Sequence, residues 1–229
     1  MLDKSHKFIT CQNCLVRKDS LFKNLCEADV SVVNNHKTCS YFKKNQSVFL
    51  EGAIPRGVFC LNKGKIKIYT IGEEGKEQII HIAKEGEIVG FRAMFSGEPY
   101  RVSATTLEEC NICFIGKSDF LDLVDTNVTL RNGIMKELSV ELADRATFIT
   151  NMAQKSVRER LAFSLIFLDD IYKGEMINFS REDLANFVGT ATETLIRLLK
   201  DFKDDNLIKT HARKIEIIDR DAILRLSKS

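Results

Sequence analysis

Between residues 38 and 118 apolar and polar residues alternate in short runs broken by glycines. In "KGKIKIYTI", Ile66, Ile68 and Thr70 fall on one side and Lys65, Lys67 and Tyr69 on the other. That period of two belongs to an antiparallel strand with one face buried. "VFLEG", "GVFCLNK", "KEQIIHIAK" and "CNICFIGK" continue the pattern, with Gly57, Gly64, Gly72, Gly75, Gly86 and Gly90 as punctuation. Short, closely spaced strands with glycine turns predict a small antiparallel β-barrel or jelly roll.

The period changes after residue 126. Met135, Leu138, Leu142, Arg145, Ile149 and Met152 alternate spacings of three and four, a seam of period about 3.5 on one long helix, which suits pairing with a second copy. A helix lying on the barrel is the other reading. Arg145 is a poor guest in a monomer's core and favours the dimer. The divisions expected are 1–126 for the barrel with its leading segment, 127–152 for the dimer helix, and 153–229 for a further domain.

In that last part, "SREDLANFVGTATETLIRLLKDF" holds two helices. Ser180 can cap the first through its hydroxyl, with Leu184, Ala185 and Val188 as inner face, and Gly189 suits the left-handed turn that ends it. Thr190, three residues before Glu193, fits a capping box opening the second helix. Leu195, Leu198, Leu199 and Phe202 then face inward, leaving Thr192, Glu193, Ile196, Arg197 and Lys200 elsewhere. A small residue at 185, a turn glycine at 189 and an aliphatic anchor at 195 are what a tight helix-turn-helix requires. "LIKTHARKIEIID" reads as a hairpin with Arg213 and Lys214 at its tip, a wing. The fold class expected is α+β: antiparallel jelly-roll barrel, long dimer helix, winged helix-turn-helix.

Composition narrows this only in places. A 229-residue chain that is 44% hydrophobic can bury two domains. A net charge of +2 leaves nucleic-acid binding to be decided by local pattern. No run approaches the roughly 18–20 apolar residues that cross a bilayer, and the opening "MLDKSHKFITCQNC" lacks the apolar run of a signal peptide, so a cytoplasmic protein is expected. No phosphate-binding glycine loop, HExxH or spaced Ser/His/Asp arrangement supports an enzyme. Glu193 and Arg197 read alone are an ion pair one helical turn apart. Near the start of a groove-entering helix, Arg197 can instead fork onto guanine O6 and N7, and Glu193 can accept from cytosine N4. Lys200, Arg213 and Lys214 are candidate phosphate contacts.

"SREDLANFVGTATETLIRLLKDFKDDNLI" resembles the DNA-binding end of the Crp/Fnr superfamily (cyclic-AMP receptor protein and fumarate-nitrate reductase regulator). Its recognition helix reads "ETxxRxL", here Glu193, Thr194, Arg197 and Leu199. The resemblance covers nearly the whole chain. It implies a homodimeric transcription regulator of pseudo-palindromic double-stranded DNA, with Glu193, Arg197 and Thr192 as base contacts and Ser180 and Thr190 at the interface. An activator working with RNA polymerase is expected, with repression left open. The rival is a ligand-binding regulatory module acting on a protein partner.

For the barrel, the resemblance places an effector pocket around Gly90, Phe91, Arg92 and Arg101 in "GEIVGFRAMFSGEPYRVSATT", with Arg145 on the long helix. Phe91 stands where a cyclic-nucleotide site has a glutamate for the ribose hydroxyl, and a phenyl ring cannot accept that hydrogen bond. Cyclic AMP is therefore not expected. "VGFRA" is closer to the oxygen-sensing branch, which implies an iron–sulfur cluster on Cys11 and Cys14 of "CQNC" and on Cys113. Ser20 stands where the third ligand's spacing requires cysteine, and Cys26 is the substitute considered. Zinc, with His6 or His36 assisting, remains open. So does a set of inert cysteines, in which Cys60 and Cys113 are apolar strand fillers. With seven cysteines and no secretory signal, reduced thiols are expected.

Overall fold

The computed structural model describes residues 10–228; His6 lies outside them. The alternating region forms β1 (Lys37–Phe42), β2 (Ser47–Phe49), β3 (Gly57–Lys63), β4 (Ile66–Ile71), β5 (Glu77–Ala83), β6 (Ile88–Val89), β7 (Ser103–Thr106) and β8 (Cys110–Gly116). They make two four-stranded sheets, ordered β1-β8-β3-β6 and β2-β7-β4-β5. The interior is filled by Phe49, Leu61, Ile66, Ile68, Ala83, Val89, Tyr100, Ala104 and Ile112. Phe49 stacks on Tyr100 with ring centroids 4.1 Å apart, and the Tyr100 hydroxyl donates to the Gly57 carbonyl at 3.4 Å. Filling the inside with apolar side chains is what the period of two encodes, because every second residue of each strand points there.

The other face of the β1-β8-β3 sheet is covered too. Phe22 and Leu25 of the leading segment join α1 (Glu27–His36), α2 (Phe91–Ser96), α3 (Lys117–Thr126) and the start of α4 (Val128–Gln154) in a second apolar cluster. In it Val58 and Ile115 from the strands meet Val33, Phe120, Leu130 and Ile134. The Cys26 sulfur accepts from the Asp29 backbone N–H at 3.5 Å and caps α1.

Along α4, Leu130, Ile134 and Leu138 pack into this cluster at intervals of one turn, while Met135, Val140, Leu142 and Ile149 are exposed, Leu142 to 73% and Ile149 to 65%. The described residues divide into two compact units, 10–70 with 80–141 and 71–79 with 142–228. The second contains α5 (Val157–Tyr172), β9 (Ile177–Asn178), α6 (Arg181–Val188), α7 (Thr192–Asp204), β10 (Ile208–His211), β11 (Lys214–Ile217) and α8 (Arg220–Lys228). A full capping box between Ser156 and Glu159 opens α5. The three short strands form one antiparallel sheet, β10-β11-β9. No described helix is long and apolar enough to cross a membrane.

Candidate nucleic-acid interface

Helix α6 begins as its sequence dictates: the Asp183 N–H donates to the Ser180 hydroxyl oxygen at 2.9 Å. It ends at Gly189, whose φ of 73° places it in the left-handed region. The N–H groups of both Gly189 and Thr190 then converge on the Ala185 carbonyl, at 2.9 and 3.0 Å. This closure draws Thr190 inward, and the capping box expected with Glu193 does not form. Thr190 is buried, and α7 starts from Ala191 without a side-chain cap. As part of that closure, Thr190 is removed from the exposed set. Ser180 is likewise committed, its hydroxyl donating to the Asp183 carboxylate at 2.5 Å. It acts as a helix cap, not as a spare donor.

Helix α7 is strongly two-sided. Leu195, Leu199 and Phe202 are buried, and burying side chains of this kind contributes roughly 1.5–3 kcal/mol each. Leu198 is half-buried. Behind α7, the Arg158 guanidinium lies 4.8 Å over the Phe202 ring and donates to Asp205 at 2.6 Å. The outer side presents Glu193, Ile196, Arg197 and Lys200, with Thr192 half-exposed. Among the described residues Glu193 and Arg197 form no ion pair, so the local pairing read from their spacing is not made. Two turns of helix therefore offer an acceptor and a forked donor side by side. The wing adds cations: Arg213 and Lys214 are both exposed where β10 turns into β11.

A residue absent from the sequence reading holds this arrangement. Arg160 of α5 donates through Nε to the Val188 carbonyl at 2.9 Å, through Nη2 to the Gly189 carbonyl at 3.1 Å and through Nη1 to the Lys155 carbonyl at 3.0 Å. Its fork satisfies backbone acceptors at the turn that α6 itself cannot. Only the pattern "RERLAF", an arginine on an otherwise apolar helix face, hinted at it.

In the first unit the expected effector residues diverge. Gly90 is the left-handed residue before α2, with φ of 92°. Phe91 enters the outer cluster and not the interior of the sandwich. Arg92 pairs with Glu141 at 3.2 Å, and Arg101 is exposed, pairing with Glu98 at 2.8 Å. Arg145 is half-buried on α4. Phe91, Arg92 and Arg101 thus point into three different surroundings, because α2 turns the phenyl ring outward and Glu98 holds the second arginine at the surface.

The cysteines also depart from expectation. Cys39 and Cys113 are joined in a disulfide; β1 and β8 pair in a register that sets them directly opposite, a proximity that 74 residues of separation conceal in the sequence. Cys11, Cys14, Cys60 and Cys113 line one cavity of about 50 Å³. Cys26 does not, being used as the α1 cap. Ser20 cannot replace it, since its hydroxyl donates to the Arg17 carbonyl at 2.8 Å and accepts from the Phe22 N–H at 3.1 Å. The ligand set Cys11, Cys14, Cys26 and Cys113 therefore does not fit an iron–sulfur cluster. Among the described residues no group of three or more His, Cys, Asp or Glu is arranged to hold a metal ion. His36 is engaged with Asp119 at 2.6 Å.

Residues 39–127 match the cyclic nucleotide-binding domain family and residues 159–226 the Crp-like helix-turn-helix domain family. The chain is 30% identical to the regulatory protein HlyX of Actinobacillus pleuropneumoniae over 217 residues, 91% of this chain and 90% of that one. It is 28% identical to the fumarate and nitrate reduction regulatory protein of Yersinia pestis, covering 96% of this chain and 90% of the relative. The fold is similar to that of FixK2 from Bradyrhizobium japonicum, with a TM-score of 0.76 and 20% identity over 84% of this chain and 98% of that one.

Proposed function

This chain belongs to the Crp/Fnr family of DNA-binding transcription regulators, and from that premise we propose that α7 is its recognition helix, with Glu193, Arg197 and Thr192 reading base edges in the major groove. The observation that carries the reading is the exposure of Glu193 and Arg197, unpaired with each other, on a helix anchored by Leu195, Leu199 and Phe202. Arg197 forks onto guanine O6 and N7, and Glu193 accepts from cytosine N4. Lys200, Arg213 and Lys214 contact phosphates and fix the register without reading sequence.

The active species is a homodimer. The exposed stripe Met135, Leu142 and Ile149 repeats every seven residues along α4, the spacing at which two helices pair. Two recognition helices then meet successive major grooves about 34 Å apart on a pseudo-palindrome. Residues 1–126 act as sensor, 127–152 as dimer helix and 153–229 as DNA-binding domain in a cytoplasmic regulator that works with RNA polymerase.

The sensor's stimulus is not a cyclic nucleotide. Phe49 and Tyr100 fill the interior of the sandwich, and Phe91 and Arg101 offer neither a ribose acceptor nor an inward cation. The test is a gel shift against inverted repeats with increasing salt. Affinity should fall steeply as counterions compete, and Arg197→Ala should lose discrimination between operator and scrambled DNA. Discrimination undiminished in Arg197→Ala and in Glu193→Ala would overturn the assignment.

A further inference from the structure

Five of the seven cysteines gather at one place on the sensor, and the sheet register explains three of them. Cys113 on β8 lies directly opposite Cys39 on β1 and directly opposite Cys60 on β3. Residues opposite one another across strands share a face, with Cβ atoms about 4.5–5.5 Å apart. That face lies under the leading segment, whose Cys11 and Cys14 complete the lining of the cavity together with Cys60 and Cys113. Both are fixed there: the Cys11 N–H donates to Asn34 Oδ1 at 2.9 Å, and Asn62 Nδ2 donates to Cys14 Sγ at 3.3 Å.

The surroundings suit thiolates. Arg17 lines the cavity, and its Nε is buried with no hydrogen-bond partner. Lys37 lines it as well. Burial, reinforced by the neighbouring Cys11 and Cys14, drives the Cys60 thiol far up from its ordinary range, so ionisation there requires a cation. We propose that Cys11, Cys14, Cys60 and Cys113 form a tetrathiolate zinc site, closed when the Cys39–Cys113 disulfide is reduced. Zinc takes four thiolates at about 2.3 Å, placing sulfurs about 3.8 Å apart, and two-residue spacing between a pair of cysteines is a common ligand arrangement. Four thiolates on Zn²⁺ leave a charge of about −2, which Arg17 and Lys37 offset. A cavity of about 50 Å³ has room for one ion.

Cys113 has two exclusive partners, so the site is gated by redox state. A dithiol reductant breaks the Cys39–Cys113 bond, giving up two electrons and two protons and leaving as its own disulfide. The four ligand thiols then release their protons to solvent as zinc binds. In reverse, a low-molecular-weight disulfide accepts two electrons as Cys39 and Cys113 rejoin, leaves as two thiols, and zinc is released.

The test is the metal content of the full-length chain purified under reducing conditions, measured by mass spectrometry, with cobalt(II) as a coloured probe. One zinc per chain is expected, and cobalt should show the charge-transfer absorption of a tetrahedral thiolate centre. Cys60→Ser, Cys113→Ser and the double variant Cys11→Ser/Cys14→Ser should lose zinc; Cys26→Ser should keep it. Cys39→Ser should also keep it, and unlike the wild type should retain it after treatment with oxidised glutathione. The leading-segment double variant leaves the sandwich residues unchanged, so its loss of metal at wild-type thermal unfolding does not arise from misfolding. A reduced chain that takes up neither zinc nor cobalt, full zinc in Cys60→Ser, or iron with sulfide in place of zinc would each overturn the proposal. DNA affinity is not part of the readout, so failure here is separate from failure of the recognition helix.

Discussion

Arg160 and Val188 lie 28 residues apart and meet through a 2.9 Å hydrogen bond from the guanidinium Nε to the backbone carbonyl. With the companion bond to the Gly189 carbonyl, this ties α5 to the turn between α6 and α7. Replacing Arg160 with methionine keeps much of the stem and removes the donors. It should cost about 1–3 kcal/mol, the usual penalty for stranded backbone acceptors. Urea unfolding of the chain checks the loss of stability, and operator affinity should fall with it. An unaltered unfolding midpoint would show that water replaces the arginine freely.

Gly189 is the second constraint on the same turn. Its φ of +73° is open to glycine and expensive for a residue with a Cβ, and a Cβ there would lie 3.1 Å from the Met152 sulfur. Gly189→Val should destabilise by more than the roughly 1–2 kcal/mol that the left-handed conformation costs. Gly189→Asn should cost less, because asparagine tolerates that region. Circular-dichroism melts of the two variants should rank valine below asparagine below wild type.

Base reading separates from phosphate binding in a competition experiment. Arg197→Ala should lose about 1–3 kcal/mol of discrimination at one base pair of each half-site. Lys214→Ala should weaken all DNA sequences alike and reduce the salt slope by about one. Fluorescence anisotropy on operator variants across a salt series measures both. The assignments exchange if Lys214→Ala alters sequence preference and Arg197→Ala does not.

The stripe on α4 predicts assembly. Leu142 and Ile149 are 73% and 65% exposed, so changing both to glutamate should leave each chain folded while placing like charges face to face in a dimer. Light scattering should report a monomer, and operator affinity should drop to that of a single half-site.

Cysteine reactivity gives a pH-dependent prediction. Burial, helped by nearby Glu108, pushes the Cys110 thiol up to about 11. On the order of a thousandth of it is thiolate at pH 8, and only the thiolate is nucleophilic. Iodoacetamide should therefore modify exposed Cys26 at least about ten-fold faster than Cys110 in the native chain. Labelling of Cys110 should rise as pH approaches 11. Peptide mass mapping distinguishes the two, and equal rates at pH 8 would contradict the burial of Cys110.

What was legible in the sequence was what depends on neighbours along the chain. The alternation around Ile66 and Ile68 foretold the sandwich, and Ser180 and Gly189 marked the ends of α6, because caps and periodicity are local physics. Thr190 misled for an instructive reason. Its spacing to Glu193 satisfied a capping pattern, but its N–H was already drawn to the Ala185 carbonyl by the closure of the preceding helix. Arg160 could not be read as a turn brace, since its partners are defined only once α5 packs against α6. Cys60 looked like an apolar filler because its relation to Cys113 exists only in the β3–β8 register. The register in turn depends on which strands become neighbours, and alternation along a single strand carries no such information.

The stacked rings of Phe49 and Tyr100 have a consequence for how such a regulator can change its stimulus over time. With the centre of the sandwich solid, a new signal has no vacancy there to inherit. Responsiveness must instead be grafted onto the flank, where residues 10–26 drape over three strands. Exchanging that short leader would retune what the molecule answers to while leaving its choice of genes untouched.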